Sequence, residues 1–312
     1  MNLHLTYKEY ITHQHPFEND YEGKVITTLI ESRANKKENK KVVLYIHGFS
    51  DYFFQYHMMR YINAEEINFF AVDLRKCGRS LLSHQHPNYC QSMREYFPDL
   101  NYAIEFITKQ NSNTEIYMMG HSTGGLLVSY YAKFGLLRNR IKGIVLNSPF
   151  LDFNLPFYVK PFITTVAKSK SSKDAYACME SLPPIYGESL HRNYNGEWKY
   201  SLDLKPIKPF PAFYAWILAV QHAQSLIKED PNLGDLPILL MRSDKSGNAY
   251  RQTDITNCSD VVLNVKDMTK IGCKLSDNVE EVIVEGGVHD LVLSSEAARN
   301  FALQKIVAFV KK

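Results

Sequence analysis

One serine of the chain lies between two glycines, where an apolar run meets a helical pattern. Residues 120–124 read GHSTG, so Ser122 has a glycine two residues before it and another two residues after it. The preceding residues 115–119 (EIYMM) are typical of a short buried strand, and apolar residues recur at helical spacing after the serine. A G-x-S-x-G sequence between strand and helix holds the serine in a strained turn that exposes its hydroxyl. The pattern predicts a nucleophilic serine, and the alternative is a serine that only caps the helix.

A serine hydroxyl is a weak nucleophile, so it needs a neighbouring base and a third group that orients this base. After a turn of this kind, an acid and then a histidine are expected to follow the serine in the chain. The histidines that follow Ser122 are His191, His222 and His289. Only His289 comes directly after a late strand-like run, with two glycines at 286–287 before it. The sequence therefore predicts His289 as the general base, and it predicts surface or packing roles for the other two.

The acid is expected near the end of the strand-like run at residues 236–244. Asp244 is nearest to that strand end, whereas Asp260 comes later, before a helix-like start. Asp254 and Asp267 fit this position less well. An aspartate beside a strand end or a helix start is also common as a cap or a turn residue. Position alone leaves both Asp244 and Asp260 as candidates for the residue that orients the imidazole.

An attack on a carbonyl carbon also needs backbone N–H donors for the oxyanion that forms. The residue after the nucleophile usually supplies one of them, which predicts the Thr123 amide. The second donor is expected in the loop after the apolar run that breaks at His47 and Gly48. Because Gly48 lets this backbone approach closely, the sequence predicts the Phe49 amide as the second donor.

Strand-like apolar runs alternate with helix-like stretches along most of the chain. Continuous apolar runs that end in glycine or polar residues are typical of parallel strands buried on both faces. The run at residues 24–32 alternates and is predicted as a half-buried edge strand. The sequence thus predicts an α/β fold with a mostly parallel central sheet flanked by helices. The continuous runs lie at residues 42–50, 67–75, 115–122, 141–150, 236–244 and 279–287.

One long stretch interrupts this alternation. Residues 151–235 contain no comparable strand-like run and are rich in aromatic residues and proline. The stretch is too long for an ordinary loop. We expect a mostly helical insertion, a cap or lid, that packs over one end of the sheet. The predicted core then comprises residues 1–150 and 236–312.

Four short motifs, in this order, give the chain a resemblance to a known superfamily. HGFS (47–50), DLRKCGRS (73–80), GHSTGG (120–125) and GGVHDL (286–291) together resemble the α/β-hydrolases. The most similar branch contains the monoacylglycerol lipases, the lysophospholipases and the serine aminopeptidase-like hydrolases. The second motif is similar to the D-x-R-G-x-G-x-S turn of that branch, with Lys76 in place of its usual glycine. The resemblance implies the α/β-hydrolase fold and a serine hydrolase that forms an acyl-enzyme.

The resemblance also bears on the choice of the acid. Members of the branch typically carry an aspartate that is followed by a short valine-rich stretch and a helix. Asp260 is followed by Val-Val-Leu, which fits this pattern. Residues 242–258 would then contain an insertion that separates the strand from the acid-bearing turn. The resemblance therefore favours Asp260 over Asp244.

The expected substrate follows from the composition of the insertion. An apolar, aromatic cap indicates an acyl chain or another hydrophobic ester, which suggests a carboxylesterase or a monoacylglycerol or lysophospholipid lipase. One alternative is a serine aminopeptidase-like enzyme, which would need acidic groups near the pocket to hold an ammonium group. Another alternative is a hydrolase fold that binds a ligand without catalysis. Neither cofactor nor metal is expected for the predicted chemistry.

Composition excludes several other classes of protein. A net charge of +3 over 312 residues does not indicate binding to nucleic acid or to an anionic membrane. Five scattered cysteines without CxxC spacing predict reduced thiols and a cytoplasmic location, and neither a signal peptide nor a transmembrane segment is expected. The two HQH triplets at 13–15 and 84–86 are predicted to lie in solvated loops, because a metal site needs more converging ligands. The sequence leaves open whether the protein forms a homodimer.

Overall fold

A computed structural model of the chain describes residues 10–35, 39–156 and 158–312. Within these ranges, the strands are β1 (Ile11–Asp20), β2 (Gly23–Ser32), β3 (Lys41–Ile46), β4 (Asn68–Asp73), β5 (Glu115–His121), β6 (Ile141–Asn147), β7 (Cys178–Met179), β8 (Ala212–Phe213), β9 (Ile238–Ser243) and β10 (Val279–Val284). The α-helices are α1 (Tyr56–Ala64), α2 (Phe97–Gln110), α3 (Thr123–Phe134), α4 (Lys160–Lys173), α5 (Ile185–Leu190), α6 (Tyr214–Glu229), α7 (Val265–Gly272) and α8 (Glu296–Lys311).

Eight of the described strands form one sheet in the order β1–β2–β4–β3–β5–β6–β9–β10. β1 and β2 are antiparallel, and β2 is antiparallel to β4. The pairs from β4 to β10 are all parallel. The carboxyl ends of β3, β5, β6, β9 and β10 therefore meet at one edge of the sheet, which is where open α/β sheets bind ligands. This is the α/β-hydrolase fold that the sequence predicts.

Helices cover both faces of this sheet, and the strand sequences explain why. Because neighbouring side chains of a strand point to opposite faces, a strand covered on both sides needs a continuous apolar run. In β3, Val42, Leu44 and Ile46 pack in the core cluster that includes α2, α3, α6 and α7. Val43 and Tyr45 pack on the other face, with α1 and α8. The apolar runs of the sequence are thus the buried central strands of the sheet.

The prediction that residues 24–32 form an edge strand is wrong. The corresponding strand β2 lies between β1 and β4, and most of its residues are buried. The edge is β1, whose side chains are exposed or half-buried along its whole length. Residues 13–15 lie on this strand, so the prediction of a solvated loop is also wrong there. A strand that pairs on one side and packs little carries almost no apolar signal in its sequence.

The buried Lys76 explains the departure from the D-x-R-G-x-G-x-S turn. Its backbone has a φ of 61°, a left-handed conformation that normally favours glycine. Its ammonium lies 2.7 Å from Asp20 Oδ2 and 2.8 Å from Glu22 Oε2. It also lies 4.0 Å from the centre of the Tyr21 ring. The lysine therefore joins the turn after β4 to the tip of the β1–β2 hairpin.

The described part of the long stretch between β6 and β9 carries three helices and a small two-stranded sheet. We call residues 148–237 the inserted segment; it contains α4, β7, α5, β8 and α6. Helix α6 packs against α3 as well as against α4, so it joins the segment to the core. In the ranges that the structure describes, none of the helices combines the length and the apolar character needed to cross a bilayer.

The tight packing between α3 and β3 gives a first prediction. We expect Gly124→Ala to lower the free energy of unfolding by about 3 kcal/mol, because the new Cβ would overlap the backbone carbonyl oxygens of Ile46 and His47. Gly234→Ala is the control, since nothing lies within 4 Å of its added Cβ and only its φ of 68° opposes alanine, at a cost of about 1 kcal/mol. Equilibrium urea unfolding measures both values, and equal losses would contradict the prediction.

Candidate active site

The turn between β5 and α3 presents Ser122 at the carboxyl edge of the sheet. The serine has φ 52° and ψ −117°, a conformation that costs a residue other than glycine about 1–3 kcal/mol. The turn is held in place because Ser122 N donates to Asn147 O (3.1 Å) and Ser122 O accepts from Phe150 N (2.9 Å). Such a turn directs the side chain away from the sheet, so the serine lines the main pocket described below.

His289 and Asp260 form a buried hydrogen-bonded pair. His289 Nδ1 donates to Asp260 Oδ2 at 2.9 Å, and both residues are buried. The other carboxylate oxygen accepts from the backbone amides of Val262 (2.9 Å) and Leu263 (2.8 Å). A carboxylate at Nδ1 fixes the imidazole tautomer in which Nε2 is free to accept a proton. Asp260 can therefore orient the ring of His289 because it is itself held by the backbone.

The path of the chain brings Asp260 back to the end of β9. Residues 245–259 leave the strand end and return to it, and Ser246 forms a β-bridge with Asp260. Asp260 N donates to Lys245 O (3.0 Å), and Gly247 N donates to Asp260 O (2.7 Å). The excursion therefore separates Asp260 from β9 in the sequence but not in space.

Asp244, the alternative acid, has different partners. Its Oδ1 accepts from the backbone amide of Gly286 (2.9 Å), and its other oxygen lies 3.3 Å from Lys245 Nζ. It thus supports the loop that carries His289, whereas its described contacts do not include the imidazole ring. The other two downstream histidines lie in the inserted segment, where the ring of His191 packs 4.8 Å from that of Tyr200 and His222 is on α6.

Phe49 and Thr123 line the same pocket as the serine. Thr123 is the first residue of α3, so its N–H has no acceptor within its own helix. Phe49 lies in the loop after β3, which we call the β3 loop (residues 47–53). In this loop, Gly48 approaches the Ser122 turn so closely that an added Cβ would lie 3.3 Å from Ser122 Cβ. Both backbones therefore run beside the nucleophile candidate.

A cavity of about 290 Å³ is lined by Ser122, His289, Phe49 and Thr123. Its wall combines Ser122 and His289 with residues of the β3 loop and of the inserted segment, and most of it is apolar. A concave apolar site with a few converging polar groups is the usual form of a small-molecule site. The apolar side chains of the inserted segment that line it include Phe150, Phe153, Leu155, Ile163, Leu182, Ile207, Trp216 and Ile217.

A buried ionic cluster beside the serine was not predicted from the sequence. Asp51 Oδ2 lies 3.2 Å from His121 Nε2 and 3.2 Å from Lys205 Nζ. Burial opposes ionisation of Asp51, but Lys205 and His121 outweigh it and hold the pKa of this carboxyl well below its usual range. Burial also lowers the pKa of His121, but Asp290 and Asp51 outweigh it and raise this pKa above its usual value. Charged side chains are rarely buried, so sequence patterns give little signal for such a cluster.

Three side chains in and beside this cluster are of types that ligate metal ions. Potential ligand atoms of Asp51, His121 and Asp290 lie within 4.8 Å of one another. Asp290, however, already accepts hydrogen bonds from Asn147 Nδ2 (2.7 Å) and Gln55 Nε2 (2.9 Å). Lys205 supplies a cation to the same cluster. Hydrogen bonds and ion pairs within the protein therefore already engage most of the potential metal-ligand atoms.

Comparisons with known proteins agree with this architecture. The described sheet with helices on both faces has the α/β-hydrolase fold. A family model described as "Serine aminopeptidase, S33" matches residues 37–245, and the chain belongs to this family. A putative monoglyceride lipase of Schizosaccharomyces pombe is 27% identical over 132 residues, which are 40% of this chain and 34% of that protein. The matched part thus spans about a third of that relative.

Solved structures show the fold over almost the whole chain. A soluble variant of the monoglyceride lipase of Saccharomyces cerevisiae superimposes with a TM-score of 0.75 and 17% identity, over 99% of this chain and 98% of that one. The monoacylglycerol lipase of Paleococcus ferrophilus gives 0.64 and 17%, over 96% and 98%. A thermostable carboxyl esterase of Bacillus coagulans gives 0.67 and 14%, over 96% and 98%. At these identities the likeness establishes the fold.

The contrast between the two aspartates can be tested directly. We expect Asp260→Asn to lower kcat by about 10⁴-fold, because an amide at this position favours the wrong tautomer of His289. We expect Asp244→Asn, the matched control, to lower kcat by less than about tenfold, because its side-chain oxygen can still accept from Gly286 N. Hydrolysis of a p-nitrophenyl ester measures both. A large loss in the Asp244 variant alone would assign the acid to Asp244 instead.

Proposed function

We propose that the chain hydrolyses carboxylic esters with a hydrophobic acyl or alcohol part, as a carboxylesterase or as a monoacylglycerol or lysophospholipid lipase. The observation that carries the proposal is the His289–Asp260 hydrogen bond (2.9 Å) in a largely apolar cavity that Ser122 also lines. The names of the relatives, monoglyceride lipases and a carboxyl esterase, support an ester substrate. The mechanism needs neither metal nor cofactor.

The reaction begins with attack of Ser122 Oγ on the ester carbonyl carbon. His289 Nε2 takes the hydroxyl proton, and Asp260 stabilises the imidazolium that forms. The backbone amides of Phe49 and Thr123 hold the oxyanion of the tetrahedral intermediate. Among the described residues, no hydrogen bond joins Ser122 to the His289 ring. The first step therefore requires these groups to draw together when substrate binds, as catalytic hydrogen bonds often do.

The second half of the reaction reverses the proton transfer. The intermediate collapses, the ester C–O bond breaks, and His289 gives its proton to the leaving alcohol. A water molecule then attacks the acyl-enzyme while His289 takes one of its protons. Collapse of the second intermediate releases the carboxylic acid and returns the proton to Ser122 Oγ.

In this proposal, the inserted segment acts as a cap that binds the acyl chain. The predicted limits of the cap, residues 151–235, fall within the segment between β6 and β9. Its side chains form most of the apolar wall of the cavity. Other residues of the segment contact the β3 loop through backbone and charged groups. The five cysteines are free thiols, which supports the cytoplasmic location predicted from the sequence.

The main alternative is an aminopeptidase-like activity, which the name of the family suggests. Such an enzyme needs an unpaired carboxylate in the pocket to bind the ammonium group of its substrate. Among the described residues, the carboxylates that line the cavity are Asp51 and Glu180. Asp51 already pairs with His121 and Lys205, and Glu180 is exposed and pairs with Lys208. These pairings favour the ester substrate.

Covalent labelling separates catalysis from simple ligand binding. We expect a fluorophosphonate probe to form an adduct on Ser122, and we expect Ser122→Ala to abolish it and to lower kcat by about 10⁴-fold or more. Intact-protein mass spectrometry measures the adduct. Unlabelled wild-type protein would favour a binding protein over a hydrolase, and faster cleavage of aminoacyl amides than of esters would favour the aminopeptidase.

The apolar wall predicts a preference for longer acyl chains. We expect kcat/KM for p-nitrophenyl esters to rise about threefold to fourfold for each added methylene until the cavity is filled, because each buried methylene contributes about 0.8 kcal/mol. Leu182→Ser replaces an apolar side chain of the wall with a polar one, so it should reduce the rise in kcat/KM per methylene. Leu202→Ser is the matched control, since Leu202 is an exposed residue of the inserted segment outside the cavity wall. Equal kcat/KM values for esters of all chain lengths in the wild-type protein would contradict an acyl-binding site.

A further inference from the structure

The β3 loop carries the proposed oxyanion donor, yet it holds an unfavourable backbone conformation. Ser50, the residue after Phe49, has a φ of 52°. A residue other than glycine keeps such a conformation only where its surroundings enforce it. Within the loop, a β-bridge pairs Gly48 with Asp51. The direction of the Phe49 amide therefore depends on what holds the residues that follow it.

The inserted segment supplies much of this support through its backbone. Tyr52 N in the β3 loop donates to Leu204 O at 2.9 Å. In the opposite direction, Phe210 N of the inserted segment donates to Ser50 Oγ at 3.1 Å. Two residues of the loop are thus tied to residues 204–210, which come from a distant part of the chain.

Between these two contacts lies the ion pair of Asp51 and Lys205. Both side chains are buried, and the same oxygen of Asp51 also contacts His121 Nε2. His121 is the last residue of β5 and directly precedes Ser122. One carboxylate therefore joins the β3 loop, the Ser122 turn and the inserted segment.

The surroundings of Lys205 indicate that its ammonium is not free to bind substrate. Its Nζ lies 3.2 Å from Asp51 Oδ2 and 4.8 Å from the centre of the Tyr186 ring. Tyr186 OH accepts from Asp290 N at 2.8 Å, so the aromatic ring is also fixed. A charge held between a carboxylate and an aromatic face fixes geometry rather than recruiting a ligand.

We propose that Lys205 is a positioning residue. Through Asp51, its ammonium fixes the position of the β3 loop relative to the Ser122 turn. The Phe49 amide therefore points at the oxyanion only when the inserted segment is packed against the β3 loop. The inference rests on the proposed function, since it concerns the oxyanion donor of that reaction. Because the oxyanion exists only after attack, loss of this alignment weakens the transition state more than substrate binding.

The first experiment needs no substrate and measures the loop itself. Hydrogen–deuterium exchange of a peptide covering residues 46–54 is compared between wild type, Lys205→Met and Lys205→Arg. We expect about tenfold faster exchange in the methionine variant and near wild-type exchange in the arginine variant, which keeps the charge. Lys208→Met is the matched control, because Lys208 is an exposed lysine of the same segment and pairs with exposed Glu180. Unchanged exchange in Lys205→Met overturns the inference, even if the protein hydrolyses no ester.

The second experiment measures the consequence for catalysis with a short, soluble p-nitrophenyl ester. We expect Lys205→Met to lower kcat by about 10- to 100-fold with KM changed less than about threefold, and Lys205→Arg to recover most of the loss. A raised KM with unchanged kcat would mean that Lys205 binds substrate and would overturn the inference. Faster exchange with unchanged kinetics would overturn it as well.

A double variant keeps the test valid if Lys205→Met does not fold. Asp51→Asn with Lys205→Met removes both charges, so no unpaired carboxylate remains buried, and we expect the same loss of kcat. Wild-type activity in the double variant would overturn the inference. If the wild-type protein neither hydrolyses esters nor reacts with the fluorophosphonate, the proposed function fails, and the exchange experiment still decides whether Lys205 orders the loop.

Discussion

The close backbone contact between the start of α3 and the end of β3 is the constraint on which the site depends. Gly124 lies so near to the Ile46 carbonyl that it leaves no room for a side chain. This contact lets the chain turn from β5 into α3 within a few residues, with Ser122 at φ 52°. It also places the loop after β3 beside the serine. The nucleophile candidate and the predicted oxyanion donors are thus brought together by packing of the sheet, before any side chain contributes.

Asp260, the candidate acid, shows how sequence separation and spatial separation can differ. The apolar run of β9 predicts where the acid-bearing edge lies, but the excursion of residues 245–259 places Asp260 far along the chain from that edge. Its return depends on backbone hydrogen bonds of Asp260 with Lys245 and Gly247, just beyond the strand end, and such bonds leave no signature in side-chain patterns. Position in the sequence therefore could not separate Asp244 from Asp260, and only the likeness to a known motif favoured the second.

The central fold and the serine turn could be predicted from the sequence because their signals are local. Strands buried on both faces need continuous apolar runs, and a strained serine turn needs glycines beside it. The signals fail where stability comes from distant partners. The exposed strand β1 has no apolar pattern, and the buried charges of Lys76, Asp51 and Lys205 depend on partners from other segments. In the sequence, the only indication of such distant partners is Lys76, which replaces the usual glycine of its motif.

The inserted segment contacts the site through two kinds of interaction with different physical consequences. Apolar contacts along the cavity wall are non-directional, so they tolerate apolar groups of different length and shape. The hydrogen bonds and the ion pair with the β3 loop are directional, so they hold atoms at defined distances. Trp198 Nε1 adds a further directional contact, to Leu293 O beyond His289, at 2.7 Å. In the proposed enzyme, substrate preference and catalytic geometry therefore depend on different residues of the same segment, and one can change without the other.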